Sequence, residues 1–219
     1  NIIDEPIFER IKGKREPSTV AILKSLIKED FKILELGACY GYFTIIMSKM
    51  LGELGQIISI ECLPRNFKIF KNNIKINNLS NVKALNYFIS SQKKTDVYFK
   101  KNSTNPYELI NKIKNSNFDS IDDKQNNDSD KVETIELSKL CNDNKFIPNL
   151  IFMDVEGFEV DIIEELSNNF LKNNKPIILF EIHNDYYDKR KNLEFIKLIL
   201  AKNNYTYRQI DQNLLCYIK

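Results

Sequence analysis

Hydrophobic and polar positions alternate along the chain in two kinds of pattern. Five short apolar runs have the length and β-branched content of buried strands, at residues 32–36, 56–60, 82–86, 150–153 and 177–181. Between them, residues 44–51, 64–77 and 159–171 carry apolar side chains at helical spacing, and Pro64 suits the first position of a helix. This alternation predicts a mostly parallel sheet with helices on both faces.

The end of the chain has a different pattern. Residues 205–210 and 214–218 are strand-like and are joined by the turn-forming residues Asp211, Gln212 and Asn213. They predict a C-terminal antiparallel hairpin that completes a seven-stranded sheet. Residues 101–131 are rich in Asn, Lys, Ser and Asp, which predicts a partly mobile surface insertion. We expect one domain over residues 1–219.

Composition narrows the class of protein. With 32 Lys plus Arg against 30 Asp plus Glu, the net charge is only +2, and no nucleic-acid partner is expected. The apolar runs are shorter than the roughly 20 residues that span a bilayer, so no membrane segment is predicted. The four cysteines are scattered without a C-x-x-C pair, which favours a reduced, cytoplasmic protein.

The segment "ILELGACYGYFT" at residues 33–44 indicates a ligand site. Its strand ends at a turn that contains Gly37 and Gly41, and Glu61 follows the next strand about 20 residues later, where a carboxylate can accept from both ribose hydroxyls. Cys39 replaces the middle glycine of a dinucleotide loop, and the Gly-Lys-Ser/Thr of a P-loop is missing. S-adenosylmethionine fits such a site, because it has a ribose, no phosphate, and an ammonium that Glu35 or a nearby carbonyl could contact. The alternative is that the glycines only permit a turn.

Four sequence blocks carry a family resemblance. The first is Glu16-Pro17 before the first helix together with "ELGACYGYFT", and the other three are "ECLPRNFKIFKNNIKINNLSNV", "IFMDVEGFEVDII" and "IILFEIH". Together they resemble the FkbM family of methyltransferases over most of residues 16–183. Cys62 stands where that family usually has proline, and Glu136 where it usually has aspartate.

The resemblance implies a Rossmann-like class I fold, S-adenosylmethionine as cofactor, and methyl transfer to a hydroxyl oxygen of a small molecule or glycan. It implies that the cofactor lies against residues of the strand ends and glycine loop, namely Glu35, Gly37, Ala38, Tyr40, Gly41, Glu61, Cys62, Tyr87 and Asp154. Three alternatives are a nucleoside-binding module without catalysis, a nicotinamide oxidoreductase, and a nucleic-acid methyltransferase.

Candidate catalytic residues follow the fourth and fifth strands. Asp154 ends one strand, Glu156 precedes a helix, and His183, the only histidine, lies just beyond Glu181. A histidine there is a candidate general base, although it could equally hydrogen-bond only locally, and Glu156 could merely cap its helix. These four residues could also bind a hard divalent cation, but their spacing does not require one, and no metal is predicted. Tyr87 and its neighbour Phe88 could contact adenine or fill the core.

Overall fold

In a computed structural model, the chain forms a seven-stranded sheet flanked by helices. The structure describes residues 15–90, 96–100, 129–168, 170–187 and 192–218. The strands of this sheet are β1 (Lys32–Leu36), β2 (Gln56–Ile60), β3 (Val82–Leu85), β7 (Leu150–Met153), β8 (Ile177–Glu181), β9 (Thr206–Ile210) and β10 (Asn213–Tyr217). They have the spatial order β3-β2-β1-β7-β8-β10-β9, and only β10 runs antiparallel to its two neighbours. The predicted fold class is therefore confirmed.

Seven α-helices lie in the described part of the chain, and local signals mark several of their starts. Proline occupies the first position of two of them, where its missing N–H costs no hydrogen bond. In the helix that begins at Leu193, the Asn192 side chain accepts from the amides of Glu194 and Phe195. The helices are α1 (Pro17–Leu26), α2 (Tyr42–Ser48), α3 (Pro64–Ile76), α4 (Leu137–Asp143), α5 (Glu159–Asn168), α6 (Phe170–Asn173) and α7 (Leu193–Lys202).

The side chains of the central strands alternate between two cores. Leu36 and Phe180 point to the face covered by α4, α5, α6 and α7, whereas Ile33 and Phe152 point to the face covered by α1 and α2. Because both faces are buried, these strands read as continuous apolar runs rather than as alternating ones. The carboxyl ends of β1 and β7 meet at the point where strand order reverses, which is where open parallel sheets bind ligands.

A second, three-stranded sheet was not predicted. It consists of β4 (Phe88–Ile89), β6 (Ser129–Ile135) and β5 (Asp96–Lys100), in that order, with β5 and β6 antiparallel. Its apolar side chains form a small separate cluster that includes Phe88, Val97 and Val132. Residues 129–131 belong to β6, so the predicted insertion does not extend to 131. Its residues 101–128 lie outside the described part of the chain.

Other differences are local. Asn213 was predicted as a turn residue but begins β10, because its buried side chain donates to Thr19 Oγ1 at 3.0 Å. The two-residue turn is Asp211-Gln212, with Asp211 at a left-handed φ of +51°. The helix predicted over 159–171 is helical in the two stretches that the structure describes, Glu159–Asn168 and Phe170–Asn173, and the residue between them lies outside the described part of the chain. Among the described residues, no helix is long and apolar enough to cross a bilayer.

Candidate active site

The turn after β1 depends on two glycines, both for its backbone conformation and for its packing against other parts of the protein. Gly37 and Gly41 have φ of +83° and +86°, a region that side-chain-bearing residues avoid. A Cβ on Gly37 would lie 1.9 Å from the backbone oxygen of Asp154, and one on Gly41 would lie 2.5 Å from the Phe70 ring. The glycines therefore let the loop pack against the end of β7 and against α3, which brings Asp154 beside the loop.

Glu35 lies beneath this loop on the α2 face of the sheet. It is buried, and its Oε2 accepts from Thr44 Oγ1 and Ser59 Oγ, both at 2.5 Å. Burial raises the pKa of Glu35 to about 7, although the hydrogen bonds from Ser59 and Thr44 oppose that rise. Glu35 thus links β1, β2 and α2 through buried hydrogen bonds. Its contact with a cofactor ammonium stays a prediction.

Glu61 joins the glycine loop to the turn after β2. Its Oε2 accepts from the Cys39 amide at 2.7 Å and its Oε1 from the Leu63 amide at 2.8 Å. Burial raises the pKa of Glu61 to about 7, against the hydrogen bonds from Leu63, Cys39 and Asn66. A carboxylate has about four lone-pair positions, so the three donors Cys39, Leu63 and Asn66 leave about one, and the predicted acceptance from both ribose hydroxyls stays a prediction.

The remaining predicted cofactor residues surround the same loop. Ala38 is buried, and its amide donates to the Ile60 carbonyl at 3.0 Å. The Tyr40 carbonyl accepts from Asn73 Nδ2 at 2.7 Å, which ties the loop to α3. Cys62 is half-buried at the start of the turn after β2.

The aromatic pair after β3 is divided between two environments. Phe88 is buried and its ring centroid lies 5.3 Å from that of Phe158, so it fills the small core. Tyr87 is half-buried at the edge of the main core. Of the two, Tyr87 is the one with a surface to offer a ligand.

The predicted catalytic residues come together at the ends of β7 and β8. His183 Nε2 lies 3.2 Å from Glu156 Oε2 and 3.7 Å from Asp154 Oδ1. Glu156 adopts a left-handed φ of +53°, an uncommon conformation for a residue other than glycine. Within the described residues, Asp154, Glu156 and His183 also offer ligand atoms within 4.8 Å of one another, a spacing compatible with a shared cation or with direct hydrogen bonding.

Electrostatics in this cluster favour bound protons. Burial lowers the pKa of His183, but the hydrogen bond and charge of Glu159 and the charges of Glu156 and Asp154 outweigh that effect and raise it to about 9. Burial raises the pKa of Asp154 well above its usual value, with repulsion from Glu181 and Glu156. Burial likewise raises the pKa of Glu181.

Glu159 is a site residue that the sequence interpretation missed. Its Oε1 lies 2.8 Å from His183 Nδ1, and the side chain is fully buried at the start of α5. A signal was present in the sequence, because Glu159 shares a helical face with Ile162, Ile163 and Leu166 at offsets of three, four and seven. A carboxylate within an apolar stripe requires a buried partner.

Comparison with known proteins identifies the family. The family model described as "Methyltransferase FkbM domain" matches residues 35–208, which is most of the chain. The chain belongs to the FkbM methyltransferase family. Membership confirms the predicted family and S-adenosylmethionine as the cofactor.

More distant relatives agree on the fold. A protein-L-isoaspartate O-methyltransferase from Methanococcoides burtonii is 35% identical over 68 residues, which cover 30% of this chain and about a third (34%) of that protein. The O-methyltransferase from Bacillus cereus, solved with S-adenosylhomocysteine, has a TM-score of 0.55 at 15% identity and covers 99% of this chain and 92% of its own. For the precorrin-6y C5,15-methyltransferase from Geobacter metallireducens, the TM-score is 0.51 at 13% identity, with 92% and 87% covered.

Proposed function

We propose that this FkbM methyltransferase transfers the methyl group of S-adenosylmethionine to a hydroxyl oxygen of a small molecule or glycan. The observation that carries the proposal is the position of His183 Nε2, which lies among carboxylates at the strand end that packs against the glycine loop. A base beside the cofactor loop is what a hydroxyl acceptor needs. The choice of hydroxyl and the acceptor class rest on the family resemblance.

The reaction is an in-line displacement. The acceptor oxygen forms a bond to the methyl carbon while the carbon–sulfur bond breaks, and sulfur keeps the electron pair as S-adenosylhomocysteine forms. The hydroxyl proton passes to Nε2 of His183 in its neutral form, which becomes the major form only above its pKa of about 9, and Asp154 and Glu156 stabilise the resulting imidazolium. Alignment of the three reacting atoms supplies much of the rate, because a positioned pair reacts as if at very high local concentration.

The cofactor half of the site is assigned to the glycine loop. Gly37 and Gly41 bring the backbone close to the nucleoside, Glu61 accepts from the ribose hydroxyls, and Tyr87 faces the adenine. The rest of the proposed cofactor pocket consists of Ala38, Tyr40 and Cys62, and Glu35 lies beneath the glycine loop. The alternative, a module that binds the nucleoside without catalysis, does not account for a histidine that lies among three carboxylates at the strand end.

A label-transfer assay tests the proposal. Methyl-labelled S-adenosylmethionine is supplied with methyl glycosides and with matched amino sugars in which an amino group replaces one hydroxyl. We expect label on a hydroxyl oxygen, as an ether that withstands mild alkali. Label released as methanol by alkali would indicate carboxyl methylation, and label on the amino group would indicate an N-methyltransferase; either result overturns the oxygen ether assignment.

Replacing the base gives a second test. His183→Ala should leave S-adenosylhomocysteine affinity intact and reduce turnover by about 100-fold or more, since positioned bases contribute roughly 10²–10⁴-fold. The matched control is Tyr207→Ala, a half-exposed aromatic on β9 away from the site. Unchanged turnover in His183→Ala would remove His183 from the mechanism.

A further inference from the structure

Glu159 and His183 form a buried pair behind the proposed acceptor site. The Glu159 side chain has no exposed surface, and its Oε1 lies 2.8 Å from His183 Nδ1 and 3.3 Å from the Gly157 amide that donates to it. The His183 ring itself is only 10% exposed. The two nitrogens of the ring therefore face different surroundings, Nδ1 towards the protein interior and Nε2 towards Asp154 and Glu156.

We infer that Glu159 is a positioning residue, whose buried carboxylate holds the Nδ1 proton of His183 and directs the Nε2 lone pair towards the acceptor hydroxyl. This inference rests on the proposed function, in which Nε2 takes the acceptor proton. An ionised carboxylate only accepts hydrogen bonds, so the proton between Glu159 and Nδ1 belongs to the histidine. Neutral His183 is thereby fixed in the one tautomer whose Nε2 can act as a base.

Helix capping alone does not explain the burial of Glu159. A carboxylate that only served the Gly157 amide could sit at the protein surface, where water solvates its second oxygen. Here Oε2 is buried and makes no hydrogen bond within the described part of the chain. Burying a carboxylate so completely is unfavourable unless partners compensate, and the His183 ring and the Tyr187 hydroxyl both hydrogen-bond with Glu159.

The charges around His183 come from several elements. Asp154 follows β7, Glu156 lies in the next turn, Glu159 begins α5, and Glu181 ends β8. The Tyr187 hydroxyl accepts from the His183 backbone amide at 3.3 Å. Glu159 makes the hydrogen bond to Nδ1, so its charge has a larger effect on the imidazolium than the other carboxylates have.

The only histidine of the chain gives a direct readout. The ring nitrogens of His183 are followed by ¹⁵N NMR against pH in ligand-free protein that carries no histidine tag. The variants are Glu159→Gln, which keeps an acceptor oxygen but removes the charge, and Glu159→Leu, which removes both. Glu164→Gln, the same change on the same helix, is the matched control. Circular dichroism and S-adenosylhomocysteine affinity report whether each variant folds.

In the wild type and in Glu164→Gln, we expect the Nδ1–H tautomer and a His183 pKa well above the usual value. Glu159→Gln should keep the tautomer and lower the pKa by about one unit or more, as expected for loss of an adjacent opposite charge. Glu159→Leu should also mix the tautomers. A His183 titration that is the same in Glu159→Gln as in the wild type overturns the inference.

Kinetics then separate this inference from the proposed function. The pH at which kcat/KM is half-maximal should fall in Glu159→Gln by the same amount as the pKa measured by NMR, because that profile reports the free enzyme. If the NMR pKa moves and the kinetic profile does not, Glu159 positions the ring but His183 is not the base. If neither moves, Glu159 has only a structural role.

Discussion

Glu35 gives the sharpest prediction about stability, because it holds a proton that the unfolded chain releases. Its pKa is raised from 4.5 to about 7 in the folded protein, chiefly by burial. Below pH 4.5 both states are protonated, and the group contributes no pH dependence. Between pH 4.5 and 7 the unfolded chain ionises while the folded chain keeps its proton, so the free energy of unfolding falls as pH rises.

The size of the effect follows from the shift. Each unit of pKa difference corresponds to about 1.4 kcal/mol, so the rise from 4.5 to about 7 amounts to about 3 kcal/mol. The free energy of unfolding stops falling above about pH 7. Between pH 4.5 and 7 it falls by at most about 1.4 kcal/mol for each pH unit. Glu61 has the same shift and contributes a similar slope over the same range.

The perturbation is Glu35→Gln, which keeps an acceptor for Ser59 and Thr44 but cannot ionise. Urea unfolding at pH 5, 6, 7 and 8 should show a smaller fall in stability with pH than in the wild type, by about 3 kcal/mol over the whole range. The control is Glu53→Gln, an exposed carboxyl, which should follow the wild type. Parallel pH profiles for Glu35→Gln and the wild type would refute the reasoning.

Two further predictions concern the loop and the catalytic cluster. Gly37→Ala should lose about 3 kcal/mol or more of unfolding free energy in urea, because it combines backbone strain at φ +83° with a Cβ only 1.9 Å from the Asp154 carbonyl oxygen. The control is Gly52→Ala, whose Cβ would meet nothing closer than 3.3 Å. Equal stability of the two variants would contradict the packing of the loop against Asp154. Treatment with EDTA followed by desalting should leave turnover unchanged, because a cation bound at His183 Nε2 would occupy the lone pair that takes the proton. If EDTA abolished turnover and Mn²⁺ restored it, the site would bind a catalytic metal, and His183 would not be the base.

The sequence predicted the central sheet closely because four of its five parallel strands are largely buried. Four of the five parallel strands coincide with their apolar runs, and Val82–Leu85 ends one residue early because Asn86 turns to donate to the Glu61 and Cys62 carbonyls. The small sheet was not predicted, because its longest strand has no continuous apolar run. Its longest strand, Ser129–Ile135, is mostly polar and pairs with a strand across almost thirty intervening residues.

The sequence predicted those site residues that lie at the end of a strand, because the strand determines where they are. Asp154 and His183 follow strand ends, so the sheet brings them together. Glu159 belongs to a helix, and its contact with His183 depends on how α5 packs on the sheet, which local sequence patterns do not report. Glu61 was predicted as a ribose ligand, whereas its hydrogen bonds to the Cys39 and Leu63 amides arise from two turns that meet only in the fold.

The most direct test of the central claim is thermal unfolding with S-adenosylhomocysteine and, separately, with NAD. If the loop between β1 and α2 and the carboxylate of Glu61 hold the nucleoside of S-adenosylmethionine, S-adenosylhomocysteine at a hundredfold its Kd should stabilise the fold by about 2.7 kcal/mol. NAD at the same concentration should leave the unfolding temperature unchanged. Stabilisation by NAD with none by S-adenosylhomocysteine would contradict the assignment of the site.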